Sequence, residues 1–305
     1  MATLARPVST TASQDETRGM LLGLVGVAMF SLTLPFTRMT VAELDPLFVA
    51  LGRALGAALL AAAWLAWRRT PLPPRTALLP LALVMLGVVI GFPLLSSMAL
   101  RHVPASHGAV LAGLLPLMTT LYAALRGQER PSAAFWLMAV LGAALVLAFA
   151  LFEGGGALHA ADFLMFGALA AGAIGYAEGG KLARTLGGPE TICWALLLSV
   201  PLVAPLLAWR VGTDTFAGVG AAAWLGLGYV TVFSMFIGFF FWYRGLALGG
   251  IARVGQVQLL QPFLSLVGAA LLLGEALTVH NVLFALAVIG VVFAGRRMQV
   301  RRLPG

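Results

Sequence analysis

Three glutamines, Gln256, Gln258 and Gln261, crowd the residues just before Pro262 inside a long apolar run. Amides in hydrocarbon cost free energy unless they meet a partner or water. Gln258 and Gln261 stand three apart and share a helix face, whereas Gln256 points elsewhere. Such amides can hold the carboxylate and ammonium of a zwitterion without imposing a net charge. The alternative is interhelical hydrogen bonding, worth about 1 kcal/mol per bond. Tyr176, His107 and Ser106 join Gln258 and Gln261 as the expected substrate-binding set. His107 can titrate near neutral pH; its other reading is a hydrogen-bonded structural residue. Glu178 is the carboxylate expected well within a span, the other acids mapping to loops or tails. It is the obvious proton carrier, or else one half of an ion pair at the inner interface with Arg253, for which Lys181 competes. Arg53, roughly 10 Å below the outer end of its helix, either attracts an anionic group or snorkels outward.

The same inventory excludes other chemistry. Paired acids, a metal cluster and a phosphate-binding glycine loop are all missing, so no catalytic residue, cofactor or metal is expected and the chain does not read as an enzyme. The lone Cys193 sits in an apolar run and reads as a small packed side chain. Tyr229, Phe233, Phe236, Phe240 and Tyr243 recur at helical spacing; one aromatic face would line a cavity for apolar side chains or meet lipid and neighbouring helices. Trp242 and Tyr243 also fit an interfacial belt.

The elements that must position these residues are membrane spans. Hydrophobic residues make up 61% and charged residues 10% of the 305 positions, against roughly 25% charged in soluble domains. Runs near or above about 18 apolar residues without period-2 alternation select helices. Ten are expected, at 19 to 38, 46 to 67, 77 to 98, 104 to 125, 132 to 152, 162 to 182, 189 to 209, 219 to 243, 251 to 273 and 279 to 295. The net charge of +8 does not imply nucleic acid, because the basic residues sit at helix ends. Arg6, Arg18, Arg68, Arg69, Arg75, Arg126, Arg130, Lys181, Arg184, Arg244, Arg253 and the cluster Arg296, Arg297, Arg301 and Arg302 fall on one side; only Arg38, Arg101 and Arg210 fall on the other. The positive-inside rule then makes both termini cytoplasmic in an inner (plasma) membrane. Residues 1–18 read as a disordered tail without a cleaved signal, and 296–305 as a basic tail.

An offset of 146 residues carries Pro116 onto Pro262, Glu129 onto Glu275 and Ala123-Ala124-Leu125 onto Ala269-Ala270-Leu271. The chain is a tandem of two related halves, 19–152 and 162–295. With five helices in each, the second must lie inverted relative to the first, as in many transporters. Pro116 and Pro262 fall near the midplane, where each breaks a helix and frees the carbonyl four residues earlier, at Ala112 and Gln258. The symmetric breaks point to a site at the repeat interface; a simple packing kink is the alternative. His107 and Arg253 are equivalent under the offset and sit at opposite mouths of such a pathway, as gates would.

The duplicated pattern, with ALRHVPASHGAVLAGLLPL at 99–117 and GEALTVHNVLFALAVIGVVFAG at 274–295, resembles the drug/metabolite transporter superfamily, in its EamA-type ten-helix branch. Within that branch the chain looks most like the YddG-type amino-acid exporters. The resemblance implies a central cavity walled by helices 1, 3, 4, 6, 8 and 9, with 5 and 10 peripheral, and export of amino acids or related metabolites. Multidrug export is the other function open to this fold. Gln261 faces Leu115 across the repeat and His107 has no histidine counterpart, so an asymmetric cavity is expected.

Overall fold

An apolar run becomes a helix because its backbone can be satisfied within the segment, and its Pro and Gly residues decide where it bends. A computed structural model describes residues 10–126, 129–153, 155–211, 216–250, 254–297 and 300–302. The first rod consists of α1 (Thr10–Ser31) and α2 (Thr33–Val41). Pro35 cannot donate to the Ser31 carbonyl four residues back, and Ser265 Oγ from a distant helix takes its place at 2.7 Å. α1 begins nine residues before the expected start, so residues 10 to 18 extend the first helix instead of forming a disordered tail. Propagating an existing helix adds one hydrogen bond per residue fixed, so polar residues can ride on an apolar nucleus.

The second rod is α3 (Pro46–Arg68). The third joins α4 (Leu78–Val84), a π segment at Met85–Gly91 and α5 (Phe92–Leu100); the fourth is α6 (Ala105–Ala112) and α7 (Leu115–Leu125), and the fifth α8 (Ala133–Glu153). The second half follows with α9 (Ala160–Leu186), α10 (Gly188–Arg210), and then α11 (Ala221–Tyr229), a π segment at Val230–Ile237 and α12 (Gly238–Gly249) in line. A 3-10 segment at Gly255–Leu260 leads into α13 (Gln261–Leu273), and α14 (Val279–Arg297) is the last helix. Among the described residues, seven stretches, beginning with Thr17–Val41 and ending with Ala221–Gly249, are long and apolar enough to cross a membrane; Val257–Leu273 and Val279–Ala294 are shorter apolar helices. The fourth rod is cut into pieces of 8 and 11 residues.

The irregularities repeat with the sequence. The π segments occupy corresponding places in the two halves, and Pro116 and Pro262 follow matching breaks. Leu114 before the first has φ −77° and ψ −16°, and Leu260 before the second φ −78° and ψ −20°. The Gln258 carbonyl, expected to be free, accepts the Gln261 N–H in the 3-10 turn. Small residues let helices touch backbone to backbone. A Cβ on Gly19 would lie 2.5 Å from the Gly249 nitrogen on α12, and one on Gly87 2.7 Å from the Gly175 nitrogen on α9. α8 and α14 pack on each other at the periphery. Trp136, Leu137 and Val140 of α8 and Val279, Leu283 and Leu286 of α14 are exposed, as lipid-facing residues must be. A short antiparallel ribbon, β1 (Glu129–Pro131) with β2 (Val300–Arg302), ties the expected basic tail to the loop after α7.

At one end of the bundle the basic side chains serve helix termini. Arg38 Nη1 donates to the Leu100 and Arg101 carbonyls at 2.6 and 3.0 Å, where α5 ends. Asp45 caps α3, accepting from the Phe48 N–H at 3.0 Å, and its other oxygen accepts from Arg210 Nη2 at 2.9 Å. Partial burial pushes the Asp45 carboxyl up, but the Arg210 guanidinium and the Phe48 N–H more than offset this and hold it below its ordinary value. A depressed carboxylate contributes stability above its unfolded pKa, near 3.9, and loses it as the pH falls through the folded value. Asp45→Asn keeps the cap and removes the charge pair. It is expected to lower the melting temperature slightly at pH 6, by the few tenths to about 1 kcal/mol of a half-exposed pair. Melts in detergent from pH 6 to pH 3 should show that difference closing.

Candidate functional site

The broken and widened segments converge on one narrow interior cavity. Its wall takes Phe30, Thr33 and Leu34 from the first rod, Arg53 from α3, Val88 and Phe92 from the third rod and Ala112 and Leu115 from the fourth. Gly172 and Tyr176 of α9, Ser234 and Phe239 of the eighth rod, and Gln261 at the start of α13 complete it. Three of these pairs are repeat equivalents: Phe30 with Tyr176, Val88 with Ser234, and Leu115 with Gln261. In each the second half supplies the polar member, which is how a duplicated frame yields an asymmetric lining. The volume is about 20 Å³, room for about one water. The helices around it must part before a metabolite can enter.

The π segments matter here because a wider turn shifts the faces of a helix. Ser234 lies in the second of them, with its hydroxyl 2.8 Å from Thr33 Oγ1 and accepting from Arg53 Nη2 at 3.1 Å. Arg53 is 2% exposed; its Nε and Nη1 have no hydrogen-bond partner among the described residues. Aromatic rings form the adjoining wall, with the Phe30 and Phe239 centroids 4.9 Å apart and the Phe30 and Tyr176 centroids 6.0 Å apart.

The EamA-like transporter family model matches residues 17–151 and again 159–295, one copy in each half. The chain belongs to the EamA-like transporter family. This places it in the drug/metabolite transporter superfamily and makes it a multi-pass membrane transporter rather than an enzyme. The transporter is 47% identical over 281 residues to the uncharacterized transporter YdeK of Bacillus subtilis (strain 168), covering 92% of this chain and 98% of the relative. It also shares its fold with a crystal structure at TM-score 0.63 and 20% identity, over 92% of this chain and 96% of that one.

Of the residues the sequence nominates, Tyr176 and Gln261 line the cavity, and Pro116 and Pro262 sit at the two breaks beside it. Gln258 is buried one turn earlier but does not line it, and its Nε2 has no partner among the described residues. His107 and Ser106 lie elsewhere. His107 Nε2 is 2.7 Å from Asp162 Oδ1, and its ring lies 5.2 Å from that of Phe149. The Ala105 and Ser106 backbone N–H groups both donate to the Glu275 carboxylate at 2.8 Å, which caps α6. Glu178 is 4% exposed and accepts from Tyr122 Oη at 2.7 Å, with Arg126 Nε at 3.3 Å. Its partners are therefore on α7 and at the residue that follows it. Arg253, the partner expected for it, lies outside the described residues.

The aromatic face survives in part: Tyr229 stacks on Phe233 with ring centroids 5.3 Å apart and Phe236 packs on Phe240 at 4.6 Å. Phe233 is 43% exposed and Tyr243 fully buried, so the stripe meets the outside and neighbouring helices, and it is Phe239, outside the stripe, that reaches the cavity. Trp242 is buried too, so neither it nor Tyr243 forms an interfacial belt. Sequence reasoning missed Ser234, Thr33 and Asp162. The signal for Asp162 was its place three residues after His159 at the start of a helix: its Oδ2 accepts the His159 N–H at 2.8 Å in a capping box. Cys193 is buried in the core.

Proposed function

We propose that this transporter exports amino acids of broad specificity and related small metabolites by alternating access, through ten spans arranged as two inverted five-helix repeats with both termini in the cytoplasm. The observation that carries the reading is a narrow interior cavity with five polar residues in a largely apolar wall, drawn from both family copies and bordered by their matching helix breaks. Two halves that rock about a fixed midplane site need such flexible points, and broken or π-turned helices supply them. Glu178 with Tyr122 and Arg126 joins α7 to α9 away from the cavity, where a gate or a proton-coupling group would act. Export of cationic drugs is disfavoured because the described residues that line the cavity include no carboxylate.

The test is reconstitution into liposomes and uptake of a panel of radiolabelled amino acids with and without a pH gradient. Saturable uptake of several, competed by one another, is expected. Dependence on the gradient would direct attention to Glu178, whereas uptake of none by folded protein would remove the amino-acid reading.

A further inference from the structure

We propose that Arg53 is the anchor for an ionised carboxylate on the cargo, and that the carboxylate, not the ammonium group, is what the cavity requires. The proposal rests on the reading of this cavity as the transport site. A guanidinium inside a membrane protein is expensive and is normally paired or placed at a functional position. Here it is buried at 2% exposure, and among the described residues its hydrogen-bond partner is the Ser234 hydroxyl at 3.1 Å. No ion pair joins it to a carboxylate among those residues, and Nε and Nη1 are unpartnered. A neutral hydroxyl does not repay the desolvation of a fixed charge.

The geometry of the fork supports an anion. A guanidinium presents five N–H donors along two edges, each edge able to hold a carboxylate through two parallel bonds. Ser234 occupies one hydrogen of Nη2, so one edge stays complete. Arg53 lines a cavity whose other polar members, Thr33, Tyr176, Ser234 and Gln261, are all neutral. The lining therefore carries one uncompensated positive charge, which favours anions and repels cations in a low-dielectric surround. Beyond the guanidinium the wall is formed by Phe30, Phe92 and Phe239, which suits a compact apolar or aromatic body. With no acidic group among the lining residues, an ammonium on the cargo meets only ring faces and neutral oxygens. It is tolerated without being required.

Three probes with one aromatic skeleton separate these groups: 3-phenylpropionate carries only the carboxylate, phenylalanine both charges, and phenethylamine only the ammonium. Each is tested for transport in liposomes and for a shift in melting temperature of the detergent-solubilised protein. The two carboxylates are expected to move and to raise the melting temperature; the amine should do neither. Arg53→Met, which replaces a buried charge by an apolar chain of similar length, should melt at or above the wild-type temperature. It should lose carboxylate transport by about 30-fold or more, the scale of removing one partner of a buried charge pair, while Arg53→Lys should retain part of it. Transport of carboxylates by Arg53→Met at the wild-type rate would overturn the proposal, as would wild-type transport or binding of the amine alone. Loss of transport in Gln261→Leu beside full activity in Arg53→Met would sink the anchor and leave the cavity reading standing. Full activity in both variants would sink the cavity reading, and absence of any carboxylate effect in either assay would overturn the anchor directly.

Discussion

Gln261→Leu is expected to remove most transport at low substrate, roughly ten- to a hundred-fold, while leaving the protein folded. The side chain is 7% exposed, lines the cavity and stands at the first residue of α13, where the helix restarts beside Pro262. The repeat-equivalent position in the first half already holds Leu115, also at a helix restart and also on the cavity wall. A leucine is therefore compatible with this backbone, and the variant should melt within about a degree or two of wild type, as near-isosteric swaps usually permit. What disappears is an amide able to donate to and accept from polar cargo. A hydrogen bond to a charged group is worth about 1.5–3 kcal/mol, a factor of roughly ten to a hundred in affinity. Initial uptake rates at low substrate in liposomes, beside a melting curve of the same preparation, read both quantities. Retained transport would remove Gln261 from the site.

Asp162→Ala is expected to cost stability on a scale that few other single changes here would match. One carboxylate oxygen meets the buried His107 ring at 2.7 Å and the other accepts the N–H of His159 at the start of α9 at 2.8 Å. Removing the carboxylate strands a ring nitrogen in the core, at about 1–3 kcal/mol, and loses one bond of a capping box, about 1 kcal/mol. The sum, about 2–4 kcal/mol, should appear as a clear fall in melting temperature in detergent. Asp162→Asn should recover most of it, because the amide can accept from His159 and donate to a ring nitrogen that carries no proton. Loss of transport in Asp162→Asn at near wild-type stability would instead favour His107 as a gate.

Several features were legible in the residues because they depend on local physics or on the repeat. Apolar run length forces helices in lipid, and a proline removes a hydrogen bond wherever it stands, so Pro116 and Pro262 mark their breaks without knowledge of neighbours. The repeat placed Gln261 opposite Leu115, and both line the cavity. The exposed faces of α8 and α14 agree with their expected place at the periphery. Other assignments failed for identifiable reasons. From sequence alone His107 reads as a site residue because its partner, Asp162, reads as a loop acid; only the packing of α6 against α9 brings them together. The aromatic stripe keeps its ring-to-ring contacts, but which ring faces the cavity, Phe239, depends on the π segment at Val230–Ile237 and on the helices around it.

The sequence by itself determined that this is a duplicated helical membrane protein whose helices break at Pro116 and Pro262, because length, hydropathy and proline position act within a segment. Only the tertiary structure decided which polar groups share a space. Arg53 could snorkel or turn inward according to sequence, and in the fold it lies inside, 3.1 Å from Ser234, nearly two hundred residues away in a π turn that no propensity reveals. A side chain's partner inside a bundle is a property of the helix facing it, and that relation is absent from any single stretch of chain.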